Sequence, residues 1–185
     1  MQSPLLVFAM PEESKNFFPN YNLLHTGIGK VNATFSLTSY LTKHSPSIVI
    51  NLGTAGSRHH KTGAIINCTS FIQRDMDVTK LGFNKWQTPF STESVILNYG
   101  KALEGLTQGS CGTGDSFGTD DETLHFDVVD MEAYALALMC KRHNTPFLCL
   151  KYISDNADDN ANIDFNKTLT DAATSLFSTL IKAGY

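Results

Sequence analysis

Charge is scarce in this chain: Asp, Glu, Lys and Arg together supply 17% of 185 residues, with 14 basic side chains against 18 acidic ones. A formal net charge of −4 argues against the positive surface that a nucleic-acid backbone or an anionic membrane face would require. No apolar run approaches the roughly 20 residues that span a bilayer, and the longest stretches carry Lys, Asp or His. Cysteine is also sparse. Cys68, Cys111, Cys140 and Cys149 form no CxxC pair, and no Cys–His spacing suits zinc. They are expected to be reduced thiols acting as small hydrophobes, with no metal and no disulfide frame. Repeats, linkers and low-complexity tracts are missing, so one domain over 1–185 is expected. The opening LLVFA has no basic leader and meets Pro11-Glu12-Glu13 at once, which reads as a strand and implies a cytoplasmic protein.

What is present is core material: 42% hydrophobic and 10% aromatic residues. A domain of this size buries roughly 70% of its unfolded surface and needs no staple. Buried strands are expected at Leu5–Ala9, Ser47–Leu52, Ala64–Gln73, Phe126–Val129 and Phe147–Ile153, with a further strand near Cys111 running into a loop over Gly112–Phe117. Helical spacing is expected from Gly29 to about His44, over Glu93–Leu103, from Met131 to about Lys141, and through Phe165, Leu169, Ala172, Leu176 and Leu180. Strands that are apolar throughout, alternating with helices, imply an α/β sheet covered on both faces.

In such sheets ligands bind beyond the strand ends. Four polar loops are expected there: Met10-Pro11-Glu12-Glu13, Gly53-Thr54-Ala55-Gly56, Gly112 to Phe117, and Ser154-Asp155-Asn156-Ala157-Asp158. Glycines permit close backbone approach, and carboxylates can act as acid, base or hydroxyl acceptor. Taken singly, each has an ordinary role as a turn, a cap or a helix-dipole partner. Glu132 adds a carboxylate at the start of an otherwise apolar helix. The weight lies in five such features sharing one crevice.

Seven stretches, AMPEE (9–13), TGIGKVNA (26–33), VINLGTAG (49–56), RDMDVTKLGF (74–83), TGDSF (113–117), VVDMEAYALA (128–137) and KYISDNAD (151–158), resemble in order the nucleoside phosphorylase superfamily, and within it the methylthioadenosine/S-adenosylhomocysteine nucleosidases. The resemblance implies a three-layer α/β/α fold with a mixed central sheet, a homodimer, and a nucleoside substrate of methionine salvage, with no metal or organic cofactor. By position, it makes Asp155 the acid that protonates adenine N7 and Glu13 the carboxylate that orients and deprotonates water. Glu132 would hold the ribose hydroxyls, with Met131 under the sugar and Thr54 near the nucleophile. Phe117 would stack on adenine, the backbone at Gly118 would read its edge, and Ser154 would adjoin the acid. Phe165, Met10 and Ile28 would form the sleeve for a 5′-alkylthio group, and Phe83 and Pro89 would come from the neighbouring subunit.

The chemistry fits those roles. Breaking a ribosyl C–N bond creates a cationic sugar and an electron-rich base, so carboxylates near the sugar and a proton for the base favour the transition state. An acid that donates near neutral pH needs a raised pKa, through burial or a nearby negative charge. The chain is shorter than the family norm, with 13 residues between Glu13 and Gly27, and is trimmed between Phe117 and Asp130. Lys151 stands where an Arg is common, which bears on the placement of Asp155. The phosphorylase branch would need cations for phosphate, yet Asn51 occupies its Arg position. Lys30 is expected to point to solvent and Arg58 to fall short of the site. Water is therefore the expected nucleophile; a phosphorylase and a non-catalytic nucleoside binder are the rivals.

Overall fold

The computed structural model describes residues 3–118, 121–157 and 161–185, with side chains described for all of these but 161–167. In chain order the elements are β1 (Leu5–Phe8), α1 (Pro11–Ser14), β2 (Asn22–His25), α2 (Lys30–Leu41), β3 (Val49–Gly56), β4 (Ile65–Gln73), β5 (Leu97–Asn98), β6 (Thr107–Thr113), β7 (Val128–Asp130), α3 (Ala133–Arg142), β8 (Phe147–Asp155) and α4 (Ala161–Lys182). The sheet runs β2-β1-β3-β7-β6-β4-β5, and β8 pairs with both β3 and β4. It is mixed: β1 lies parallel to β2 and β3, and β8 parallel to β3, while β4 runs antiparallel to β8.

Alternation along the central strands builds the two cores. Leu5, Val7, Val49, Phe147, Cys149 and Ile153 face one side with Ala33, Leu37 and Leu41 of α2 and Ala133, Leu136, Ala137 and Cys140 of α3. Leu6, Phe8, Ile48, Ile50, Leu52, Leu148, Leu150 and Tyr152 face the other, against Ala172, Leu176 and Leu180 of α4. Each of the Val, Leu, Ile and Phe side chains contributes roughly 1.5–3 kcal/mol when fully buried. The three expected layers are therefore present. The thiols are free and buried, as expected. Among the described residues no helix is long and apolar enough to cross a membrane.

Two expectations differ from the fold. Glu93–Leu103 is not a helix; its centre forms the short β5, where Leu97 pairs with Phe71 and is buried. Gly100 lies so close to β4 that a Cβ there would sit 2.3 Å from the Cys68 carbonyl oxygen, a contact only an extended backbone without a side chain can make. Strands β3 and β8 also run further than the apolar pattern suggests, carrying Gly53–Gly56 and Ser154-Asp155 as strand ends rather than loops. The expected loop residues thereby gain the rigidity of the sheet.

Candidate active site

A cleft of about 310 Å³ opens where the C-terminal ends of β1, β3 and β8 meet the β7–α3 corner. Glu13 enters it from α1. Pro11 at the first helical position and the single turn that follows fold the chain back over the end of β1. One Glu13 oxygen accepts the backbone N–H groups of Ala9 (3.0 Å) and Met10 (3.2 Å), and the other accepts the Thr54 N–H (3.1 Å) and hydroxyl (3.3 Å). Four donors fix this buried carboxylate across the gap between β1 and β3. Gly53 makes room for it: a Cβ there would lie 3.0 Å from Glu13 Oε1.

Asp155 ends β8 and is buried. Its Oδ2 accepts the Ser154 hydroxyl (2.7 Å) and its Oδ1 accepts the Ala157 N–H (2.9 Å). A Cβ on Gly56 would stand 2.7 Å from Asp155 Oδ1, so the glycine is what lets the carboxylate lie against β3.

Glu132 precedes the first residue of α3, and its side chain accepts the Gly29 N–H at 2.9 Å. Burial, and then the neighbouring Asp130 charge, push its carboxyl up to about 8. Asp130 is paired with Lys151 at 2.8 Å, and both side chains are almost wholly buried. Asp130 also accepts the Thr113 hydroxyl (2.6 Å) and the Ala133 N–H (2.9 Å). Burial would raise the Asp130 carboxyl, but the Lys151 ammonium and these donors outweigh it and hold it below the ordinary range. Burial likewise works against the Lys151 charge, and Asp130 outweighs it, keeping the ammonium well above its usual value.

The far wall is residues 114–118, after β6. Arg74 holds this turn: its guanidinium donates to the Ser116 hydroxyl at 3.2 Å and to the Ser116 carbonyl. Asp115 accepts the Lys30 N–H at 2.8 Å and donates its own N–H to Asp75 at 2.8 Å. Phe117 stands half-exposed at the mouth, and Gly118 lines the wall behind it.

The structure brings together Glu13, Asp155, Glu132, Met131, Thr54, Phe117, Gly118, Ser154, Met10 and Ile28 around the cleft. Phe83 does not line it within the single chain; its ring packs on Phe90 at 5.5 Å. Pro89 is likewise away from the lining, in the same segment. The Phe165 side chain falls outside the described residues. Lys30 corrects its expectation: it turns onto Asp75 and Asp115 instead of solvent. Arg58 is not among the residues lining the cleft, and its Nε donates to the Ala157 carbonyl at 3.3 Å. Asn51 is buried and donates to the Val7 carbonyl at 3.1 Å. Lys151 pairs with Asp130 rather than with Asp155. Sequence reasoning passed over Asp130, and the signal was available: a lysine inside the apolar strand FLCLKYIS requires a buried anion.

The sequence model of the phosphorylase superfamily matches residues 19–183. The chain belongs to this superfamily. Among similar superfamily proteins, a 5′-methylthioadenosine/S-adenosylhomocysteine nucleosidase of Bacillus cereus is 32% identical over 86% of this chain and 78% of its own length. One from an Exiguobacterium species is 34% identical over 82% and 74%. Among solved structures, the Helicobacter pylori nucleosidase bound to butyl-thio-DADMe-Immucillin-A superimposes with a TM-score of 0.88, at 22% identity and covering 99% of this chain and 97% of that one. A futalosine hydrolase structure from the same organism gives 0.87 at 22% identity, covering 98% and 97%. At that identity the two structures speak for the superfamily fold.

Proposed function

We propose that this protein hydrolyses the N-ribosyl bond of 5′-methylthioadenosine, S-adenosylhomocysteine or a close relative, releasing adenine. The observation that carries the reading is the arrangement of Glu13, Glu132 and Asp155 around one cleft between the ends of β1, β3, β7 and β8. Asp155 donates a proton to N7 as the C–N bond lengthens, so the electrons leaving with adenine are neutralised. Glu13 receives a proton from water as its oxygen closes on C1′, with the Thr54 hydroxyl beside it. Glu132 holds the ribose hydroxyls over Met131, and in its ionised form it favours the cationic sugar in the transition state more than the neutral substrate. Phe117 stacks on the base, and Met10 and Ile28 supply the apolar wall for the 5′ substituent.

Water is favoured over phosphate because carboxylates face this cleft, and a dianion entering beside Glu13 would be repelled. The protein acts as a homodimer in which Phe83 and Pro89 close the partner's site, and works in the cytoplasm in methionine salvage. The dimer reading is supported by Val31, Phe35, Leu81 and Phe90, four large apolar side chains left exposed. The deciding experiment incubates the protein with methylthioadenosine with and without phosphate. Adenine and a free thio-sugar should form equally in both. A strict need for phosphate, with a sugar 1-phosphate as product, would make it a phosphorylase, and tight binding without turnover would make it a binding protein.

A further inference from the structure

We propose that the buried Lys151–Asp130 ion pair is a positioning device for the sugar subsite, in which the two charges together govern whether Glu132 meets the ribose hydroxyls as a carboxylate. This rests on the nucleosidase reading, and neither residue touches the bond being broken.

The geometry has three parts. Asp130 and Glu132 flank Met131 at the β7–α3 corner, and both line the cleft. Asp130 fixes that corner through the Ala133 N–H, and Thr113 ties it further by donating to Asp130 and accepting the Tyr134 N–H at 2.9 Å. Lys151, from β8, pairs with Asp130 at 2.8 Å. A Cβ on Gly53 would lie 3.7 Å from Lys151 Nζ and 3.0 Å from Glu13 Oε1, so this ammonium lies close to the nucleophile's carboxylate as well.

A buried ion pair is a poor device for stability alone, since well-packed apolar residues of similar volume often serve as well or better. Here its Asp130 lines the same cleft as the carboxylates of Glu13, Glu132 and Asp155. The charged groups facing Glu132 are Asp130 from β7, Lys151 from β8 and Glu13 from α1, while the Gly29 N–H reaches it from the start of α2. Asp155 shares the cleft. Asp115, itself paired with Lys30, lies behind Gly29, where a Cβ would be 3.1 Å from its Oδ1. Burial and then Asp130 favour the neutral form of Glu132 and Lys151 the ionised form, and together they push its carboxyl up to about 8, within reach of an ordinary pH series.

The test is the dissociation constant of methylthioadenosine against pH, read by calorimetry in an Asp155→Asn background so that the nucleoside is not consumed. Affinity should rise with pH through a midpoint near 8. Adding Asp130→Asn should move that midpoint down, and Lys151→Met should move it up, each by about one unit or more, as expected for removal of a neighbouring buried charge. Lys151→Arg should leave it in place. Adenine alone, which leaves the sugar subsite empty, should show none of these shifts. A merely structural pair would lower affinity in proportion to lost stability and leave the midpoint where it was. Unmoved midpoints, or both moving the same way, overturn the inference. If Lys151→Met does not fold, Asp130→Asn and Lys151→Arg decide the matter alone. Hydrolysis by the wild type is measured separately: if it proceeds while the midpoints stay fixed, only the inference fails, and absence of any nucleoside binding overturns both.

Discussion

Replacing Glu13 by Gln changes one atom and asks the most of the site. The carboxylate accepts from two donors on each oxygen: Ala9 and Met10 N–H on one side, Thr54 N–H and hydroxyl on the other. A glutamine amide has one acceptor oxygen and one donor nitrogen. With its oxygen toward Thr54, the NH2 group faces two backbone N–H groups that can only donate. With its oxygen toward Ala9 and Met10, the NH2 group meets the Thr54 N–H, while the Thr54 hydroxyl can rotate to accept. The second orientation is the better one and leaves a single buried donor unsatisfied. Such a group costs about 1–3 kcal/mol. In a chain of this length each kcal/mol lowers Tm by roughly 2–4 °C. Thermal unfolding of Glu13→Gln should therefore begin measurably earlier while remaining cooperative. Turnover should fall far more, by about 10²–10⁴-fold, because Gln cannot take the proton from water. Binding of methylthioadenosine should change little. If the variant melts with the wild type and turns over at a wild-type rate, the four-donor cradle and the role of Glu13 are both wrong.

Asp155→Asn should keep the fold, since its oxygen can accept the Ala157 N–H and the Ser154 hydroxyl can turn to accept its amide; kcat should drop by about 10²–10⁴-fold with little change in Kd, and near-normal kcat would remove Asp155 from the mechanism. Gly56→Ala should press a methyl group against Asp155 Oδ1, where the contact would be 2.7 Å, and lower kcat more than it raises KM; an unchanged kcat would show that the carboxylate has room to spare. Light scattering should find a dimer at micromolar concentration, and Phe35→Asp, at a side chain 73% exposed in the single chain, should dissociate it with loss of activity. A fully active wild-type monomer would refute the shared site.

The strands and the site motifs were legible because their physics is local. Leu5–Phe8 and Val49–Leu52 are buried on both faces, and short segments bearing a carboxylate after the first and glycines after the second follow them. The Glu93–Leu103 segment misled because the apolar spacing of Ile96, Tyr99 and Leu103 suits a helix, whereas burial of Leu97 at the edge of β4 decides its form. Strand β2 went unseen since Asn22–His25 is only partly buried, so its pairing with β1 leaves no apolar run. Lys30 looked solvent-bound because Asp75 and Asp115, which hold it, lie far along the chain. Lys151 inside an apolar strand called for a buried anion, but that the anion is Asp130 shows only once the two strands are brought near each other in the sheet.

The place of β8 in the sheet also bears on how the chain is made. Val49 must find Phe147, and Cys68 must find Cys149, before the middle of the sheet is complete. Pairings this distant in sequence form slowly, since the intervening chain must close a long loop. During synthesis β3 and β4 thus wait with unpaired edges until the last strand leaves the ribosome, and such edges invite pairing with other chains. Lys151 and Asp155 arrive on that same strand. A chain cut short before residue 147 would carry Glu13, Asp130 and Glu132 without their cation or their acid, inert as a catalyst and exposed as a substrate for chaperones and proteases.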